Sequence, residues 1–148
     1  MKLQNLWRKK GTDGGIKNEI FLSKEKKDAL VLTFCKDTPE FLGLTIMDAK
    51  KFPKLKNWSH MLFTKPVILV KLIPAIYEAD DGETSFVECC CFNEVLRIQK
   101  IDNDFYFNIY DNYADLLKRG IKTDIVLTEK ETDMLCRTLS VYAKTELK

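Results

Sequence analysis

Hydrophobic and polar positions alternate most regularly in the second half of the chain. Over residues 104–110, Phe105, Phe107 and Ile109 fall on one side of an extended chain and Tyr106, Asn108 and Tyr110 on the other, which is the two-residue period of a β-strand. One face is expected to pack on a helix while the other offers two tyrosines to solvent or a ligand. Residues 85–92 and 94–100 read as two further short strands, the second joined to 104–110 through Ile101, Asp102 and Asn103 as a hairpin. A fourth strand follows Gly120, and Thr128-Glu129-Lys130-Glu131 then has the form of a capping box. Beyond it Leu135, Leu139 and Tyr142 recur at helical spacing, so the pattern predicts four antiparallel strands closed by an amphipathic C-terminal helix.

The first half is less regular. Strands are expected at 41–47, 60–63 and 67–73, the last two interrupted by Pro66 and stopped by Pro74. The acidic stretch 78–83 reads as a solvated loop. Residues 29–34 form a solid apolar run whose periodicity fits helix or strand equally. An internal repeat tips that choice towards helix: residues 15–34 and 120–139 align without a gap, with eight of twenty positions identical. Both copies read as a glycine turn, an alternating strand and a hydroxyl residue (Ser23, Thr128) placed to cap a helix. The resulting expectation is an α+β fold, a twisted antiparallel β-sheet or sheets with a packed C-terminal helix and a second strand-helix unit near the N-terminus. In this reading residues 1–14 are a basic N-terminal arm, and 15–148 form a single domain with the repeat at 15–35 and 120–140.

The strand written Gly120-Ile121-Lys122-Thr123-Asp124-Ile125-Val126-Leu127-Thr128, the cap Glu129-Lys130-Glu131 directly after it and the aromatic strand from Phe105 to Tyr110 upstream carry a resemblance. A four-stranded antiparallel sheet so ended resembles the single-stranded-DNA-binding fold of the Whirly proteins, the PUR repeats and the transcriptional positive coactivators. The resemblance implies a nucleic-acid-binding surface built from two such units, by dimerisation or by tandem repetition, and hence a homo-oligomer.

Composition changes this picture in one respect. With 148 residues, 45% hydrophobic and 31% charged, the chain is expected to bury a core. Its net charge of +2 conceals opposite halves: residues 1–76 hold 15 Lys/Arg against 7 Asp/Glu, and residues 77–148 hold 9 against 15. The basic half is therefore the expected side for an anionic partner, and the acidic half for a basic protein partner. No signal peptide or membrane-length apolar run is seen, so an intracellular, non-secreted protein without membrane contact is expected. Five cysteines (Cys35, Cys89, Cys90, Cys91, Cys136) and the single His60 form neither a disulfide framework nor a zinc ligand set; they read as small apolar groups of a reducing compartment.

The segment Lys50-Lys51-Phe52-Pro53-Lys54-Leu55-Lys56-Asn57-Trp58-Ser59-His60 combines lysines with aromatic rings. Lysines neutralise phosphates and release counterions, while rings stack on unpaired bases. Lys50, Lys51, Lys54 and Lys56 are thus the expected phosphate contacts and Phe52 and Trp58 the expected stacking groups, with His60 included in the site and Arg8, Lys9 and Lys10 as an auxiliary arm. The same composition also fits an exposed basic loop whose Phe52 and Trp58 turn back onto the core. No nucleophile is matched by motif to His60, the glycines at 11–15 lack a phosphate-loop ending, and the aspartates show no calcium-loop spacing. No catalytic set, metal or cofactor is read from the sequence. Two functions are carried forward: a non-catalytic, sequence-tolerant binder of single-stranded nucleic acid, DNA ahead of RNA, and a small inhibitor or adaptor that docks on a basic protein through residues 78–83 and the face around 102–115.

Overall fold

Antiparallel pairing of chain neighbours builds both sheets. The computed structural model describes residues 16–50, 59–88, 93–110 and 123–144. Strands β1 (Ile16–Leu22), β2 (Asp28–Cys35), β3 (Phe41–Asp48) and β4 (Ser59–Thr64) form one four-stranded sheet in chain order. A helical segment follows, made of Lys65–Val67, a π-helical stretch Ile68–Leu72 and Ile73–Asp80, together α1. The plan then repeats: β5 (Ser85–Glu88), β6 (Val95–Ile101), β7 (Asp104–Tyr110) and β8 (Thr123–Thr128) form the second sheet, and α2 (Glu129–Lys144) closes the chain. This is an α+β fold of two antiparallel sheets, each followed by a helix.

Several expected elements hold. The alternation in β7 buries Phe105, Phe107 and Ile109 in the main core, and Ile101 pairs with Asp104 across the hairpin turn. Asp102 supplies the left-handed residue of that turn at φ 57°, a conformation aspartate tolerates. At α2 the Thr128 hydroxyl oxygen accepts the Glu131 backbone N–H at 3.2 Å, while Leu135 and Leu139 are buried. Replacing Thr128 by alanine orphans a helix-end N–H and is expected to cost about 1 kcal/mol, seen as a lower urea midpoint with an unchanged slope.

Other expectations are corrected. Residues 28–35 are a strand, not a helix, because that apolar run is buried on both faces. Leu30 and Leu32 enter the main core, while Ala29 and Val31 join Met47 in a second cluster with Ile20 and Ala49 against it; a strand buried on both sides loses its alternation. The stretch 67–73 is helical, not extended. Pro66 sits in its first turn, where a missing N–H costs nothing. The widened turn 68–72, in which the Ile73 N–H reaches the Ile68 carbonyl, directly precedes Pro74, whose ring clashes with the fourth carbonyl back in a regular helix. Residues 78–80 end this helix rather than starting a loop. Tyr110 and Asn108 are buried, so of the two β7 tyrosines only Tyr106 is part-exposed.

The repeat also moves. Copies 15–35 and 120–140 are not counterparts, since the first is a hairpin and the second a strand and helix. Register matches β1–β4 and α1 with β5–β8 and α2 instead: Leu44 pairs with Met61 as Phe107 pairs with Ile125, and Thr64 precedes α1 as Thr128 precedes α2. The strand-helix ending of the first unit thus lies at 59–80. Each helix reaches across to the other unit's sheet. α1 packs on β5 and β6, and the α2 Tyr142 ring lies 5.1 Å from Phe34 while its hydroxyl donates to the Pro39 carbonyl at 2.7 Å. One hydrophobic cluster therefore runs through both sheets and both helices.

Candidate nucleic-acid interface

The sequence placed the site in the connection between β3 and β4, and chain order fixes its two ends on adjacent strands. Lys50 is exposed just past β3, its backbone N–H donating to the Asp48 carboxylate at 2.8 Å. His60 is held in β4 opposite Thr45. Lys51, Phe52, Lys54, Lys56 and Trp58 lie outside the described residues, as do Arg8, Lys9 and Lys10 and the whole arm 1–14. Of the expected contacts, the structure therefore anchors Lys50 and His60 at the two ends of one connection.

What sequence reasoning missed is the neighbouring turn. A helix capped by Ser23 would hold Lys24-Glu25-Lys26-Lys27-Asp28 in its first turn; Asp28 instead opens β2, and residues 24–27 lie in the β1–β2 hairpin turn. The Ser23 hydroxyl oxygen accepts the backbone N–H groups of Lys27 and Asp28, each at 3.1 Å. The Lys26 N–H closes on the Ser23 carbonyl at 2.8 Å, with Lys26 itself left-handed at φ 61°. This folding leaves Lys24, Lys26 and Lys27 exposed. The Ala49 N–H donates to the Lys27 carbonyl at 2.9 Å, which sets the turn directly beside Lys50. Four exposed lysines thus meet at one end of the first sheet. A run of lysines with Ser before it and Asp after it was the available signal, and it was assigned to the wrong element.

The same turn is the seam between the units. The Lys24 N–H donates to the Val126 carbonyl of β8 at 2.9 Å, and its ammonium pairs with Asp104 at 2.8 Å. A cleft of about 390 Å³ opens there, bordered by Lys24, Lys27, Tyr106 and Val126. Beyond it, on the face of the second sheet turned away from Phe107, Arg97 donates through Nε and Nη2 to the Asn108 Oδ1 at 3.2 and 3.0 Å. Its guanidinium lies 5.6 Å from the Tyr110 ring centroid, an arrangement that fixes a cation against an aromatic surface.

Carboxylates temper this patch. Asp28 stands opposite Asp48 in the β2–β3 register, and burial, then Asp48, then Asp124 push its carboxyl above the ordinary range. A raised carboxyl pKa means that the native state favours the protonated form, so its contribution is fully present at acid pH and is lost as pH rises through the raised value. Asp28→Asn is therefore expected to stabilise the protein near neutral pH by less than about 1 kcal/mol, the site being part-exposed. The gain should vanish towards pH 4, checked by urea unfolding at both pH values.

The cysteines split. Burial pushes the Cys136 thiol up to about 11, the state of an inert apolar group; Cys35 is half-buried, and Cys89, Cys90 and Cys91 lie outside the described residues. Among the described residues no cluster of His, Cys, Asp or Glu is arranged to hold a metal ion, and no helix is long and apolar enough to cross a membrane. No family model, no curated protein and no solved structure matches the chain.

Proposed function

We propose that the protein binds single-stranded nucleic acid without catalysis, DNA ahead of RNA, through lysine contacts to phosphates and stacking of bases on the rings of the β3–β4 connection. The observation that carries this reading is the convergence of the exposed Lys24, Lys26 and Lys27 of the β1–β2 turn on Lys50 just past β3, Lys24 being paired with Asp104 and Lys27 with Glu25. Clustered exposed ammonium groups raise the local concentration of a polyanion and gain from counterion release. The acidic docking alternative has less to stand on. Within 78–83, Glu78 accepts the Ser85 hydroxyl at 3.1 Å and Asp80 holds Lys100 at 2.6 Å, so two of those carboxylates serve the chain's own packing.

The test is a fluorescence-anisotropy titration with a labelled single-stranded oligonucleotide at low and moderate salt. Binding that weakens steeply with salt, and weakens further in Lys26→Glu/Lys27→Glu, is the expected result. Absence of binding at low salt, or binding indifferent to those substitutions, sinks the proposal. Capture of a basic protein, abolished by neutralising 78–83, would favour the alternative.

A further inference from the structure

The seam cleft beside the lysine patch carries charge of the wrong sign for a phosphate. Glu25, Asp28, Asp104 and Asp124 border it against Lys24 and Lys27. Lys24 is paired with Asp104 at 2.8 Å and Lys27 with Glu25 at 3.2 Å, which leaves two carboxylates over. The side chains of Asp28 and Asp124 find no hydrogen-bond donor and no ion-pair partner among the described residues. Burial first, then Asp48 and then Asp124 push the Asp28 carboxyl up, so the two stand near enough to repel. A phosphate entering here would meet uncompensated negative charge, whereas a group that donates hydrogen bonds would relieve it.

The second wall sets a flat ring next to an acceptor. Tyr106 pairs with Val126 and Asn108 with Asp124, so Tyr106 and Asp124 stand diagonally on one face of adjacent strands. Tyr106 is part-exposed and Asp124 exposed. Lys26 and Lys50 are exposed on the patch without bordering the cleft, which divides the phosphate contacts from the space between the walls. That space, about 390 Å³, is of the size of a small-ligand site. We propose that the cleft takes one unpaired base of the bound strand and selects guanine, which stacks on Tyr106 and donates its N1–H and 2-amino hydrogens in parallel to the Asp124 carboxylate. This preference rests on the lysine patch being a single-strand site. A carboxylate only accepts, and guanine is the base with two adjacent donors on its pairing edge. Adenine and cytosine set one amino donor beside an acceptor nitrogen, which opposes the second carboxylate oxygen. Thymine sets its one N–H between two carbonyl oxygens and is the worst match. The strand is thus held through its phosphates without regard to sequence and read at a single nucleotide.

Anisotropy titrations of the full chain with three labelled strands test this: an oligothymidine, the same strand with one central thymine replaced by guanine, and the same with hypoxanthine in that place. Hypoxanthine keeps the purine ring and the N1–H but lacks the 2-amino group, so it separates donation from stacking. The guanine strand is expected to bind at least about fivefold tighter than oligothymidine, with the hypoxanthine strand between them. Asp124→Asn should abolish the preference without weakening oligothymidine binding, because the exposed side chain keeps its size and loses its charge. Far-UV circular dichroism checks that variant, and if it unfolds the hypoxanthine comparison decides the question in the wild type. Equal, salt-sensitive binding of all three strands would overturn the base pocket and leave the lysine patch standing, while no binding of any strand at low salt would overturn both. A hypoxanthine strand that equals the guanine strand, or a preference that survives in folded Asp124→Asn, would also overturn the proposal.

Discussion

Replacing Lys50, Lys51, Lys54 and Lys56 together by alanine is expected to flatten the salt dependence of single-stranded oligonucleotide binding more than any other change in the chain. Each lysine that neutralises a phosphate contributes about −0.7 to the slope of log affinity against log salt on a single strand. Four such contacts account for a slope near −3, or about a 50-fold loss of affinity between roughly 50 and 200 mM salt. The variant should lose that sensitivity while retaining what Lys24, Lys26 and Lys27 supply from the neighbouring turn. Trp58→Ala separates the two parts of the mechanism, because it should lower affinity by a stacking contribution of about 1–3 kcal/mol and leave the salt slope unchanged. Anisotropy titrations at four salt concentrations read both quantities. A wild-type slope near zero, or a quadruple variant with the wild-type slope, would remove the stretch 50–60 from the site.

The parts of this fold legible in the sequence are those in which the two sides of an element differ in polarity. β7 shows its period although Asn108 and Tyr110 on its second face are buried, because that face carries an amide and phenol hydroxyls against the wholly apolar Phe105, Phe107 and Ile109, and α2 announces itself through Thr128 and Glu131 because a helix start needs a side-chain oxygen to accept an orphan N–H. Where both sides are apolar the pattern vanishes, and β2 and the stretch 67–73 became interchangeable apolar runs. Proline then misled in the second of these, since Pro66 and Pro74 read as strand breakers when one opens a helix and the other follows a widened turn. The repeat was hidden for a related reason. Its true counterparts share apolar character rather than identity, Leu32 with Ile98, Leu44 with Phe107 and Phe63 with Leu127 in the paired registers. The identities between 15–34 and 120–139 joined elements of different kind. The site was half legible on the same grounds: composition marks 50–60 as basic and aromatic, but no local pattern tells that Ala49 bonds to Lys27 and brings the second lysine turn alongside.

Leu44→Ala and Phe107→Ala, one in each unit, are expected to lower the same single unfolding transition. The two residues occupy equivalent inward positions, on β3 and β7, and both are fully buried in the one cluster that spans the sheets and helices. Truncating them costs the transfer free energy of the lost carbons and leaves a cavity, about 2–5 kcal/mol for the leucine and 3–5 kcal/mol for the phenylalanine, against a total stability on the order of 5–15 kcal/mol. Were each sheet stabilised by its own helix, Leu44→Ala would melt the first unit and leave the second standing. The packing argues otherwise: α1 covers β5 and β6 of the second sheet, while α2 lies on its own β7 and β8 and also carries Tyr142 to Phe34 and Pro39 of the first. Loss of either sheet strips the support from a helix that the other sheet needs, so the units must fold and unfold together. Urea unfolding followed by far-UV circular dichroism and by tyrosine fluorescence should give coincident curves for the wild type and for both variants, shifted to lower midpoints with unchanged slope. Two separated transitions in either variant would show that the helices do not couple the units.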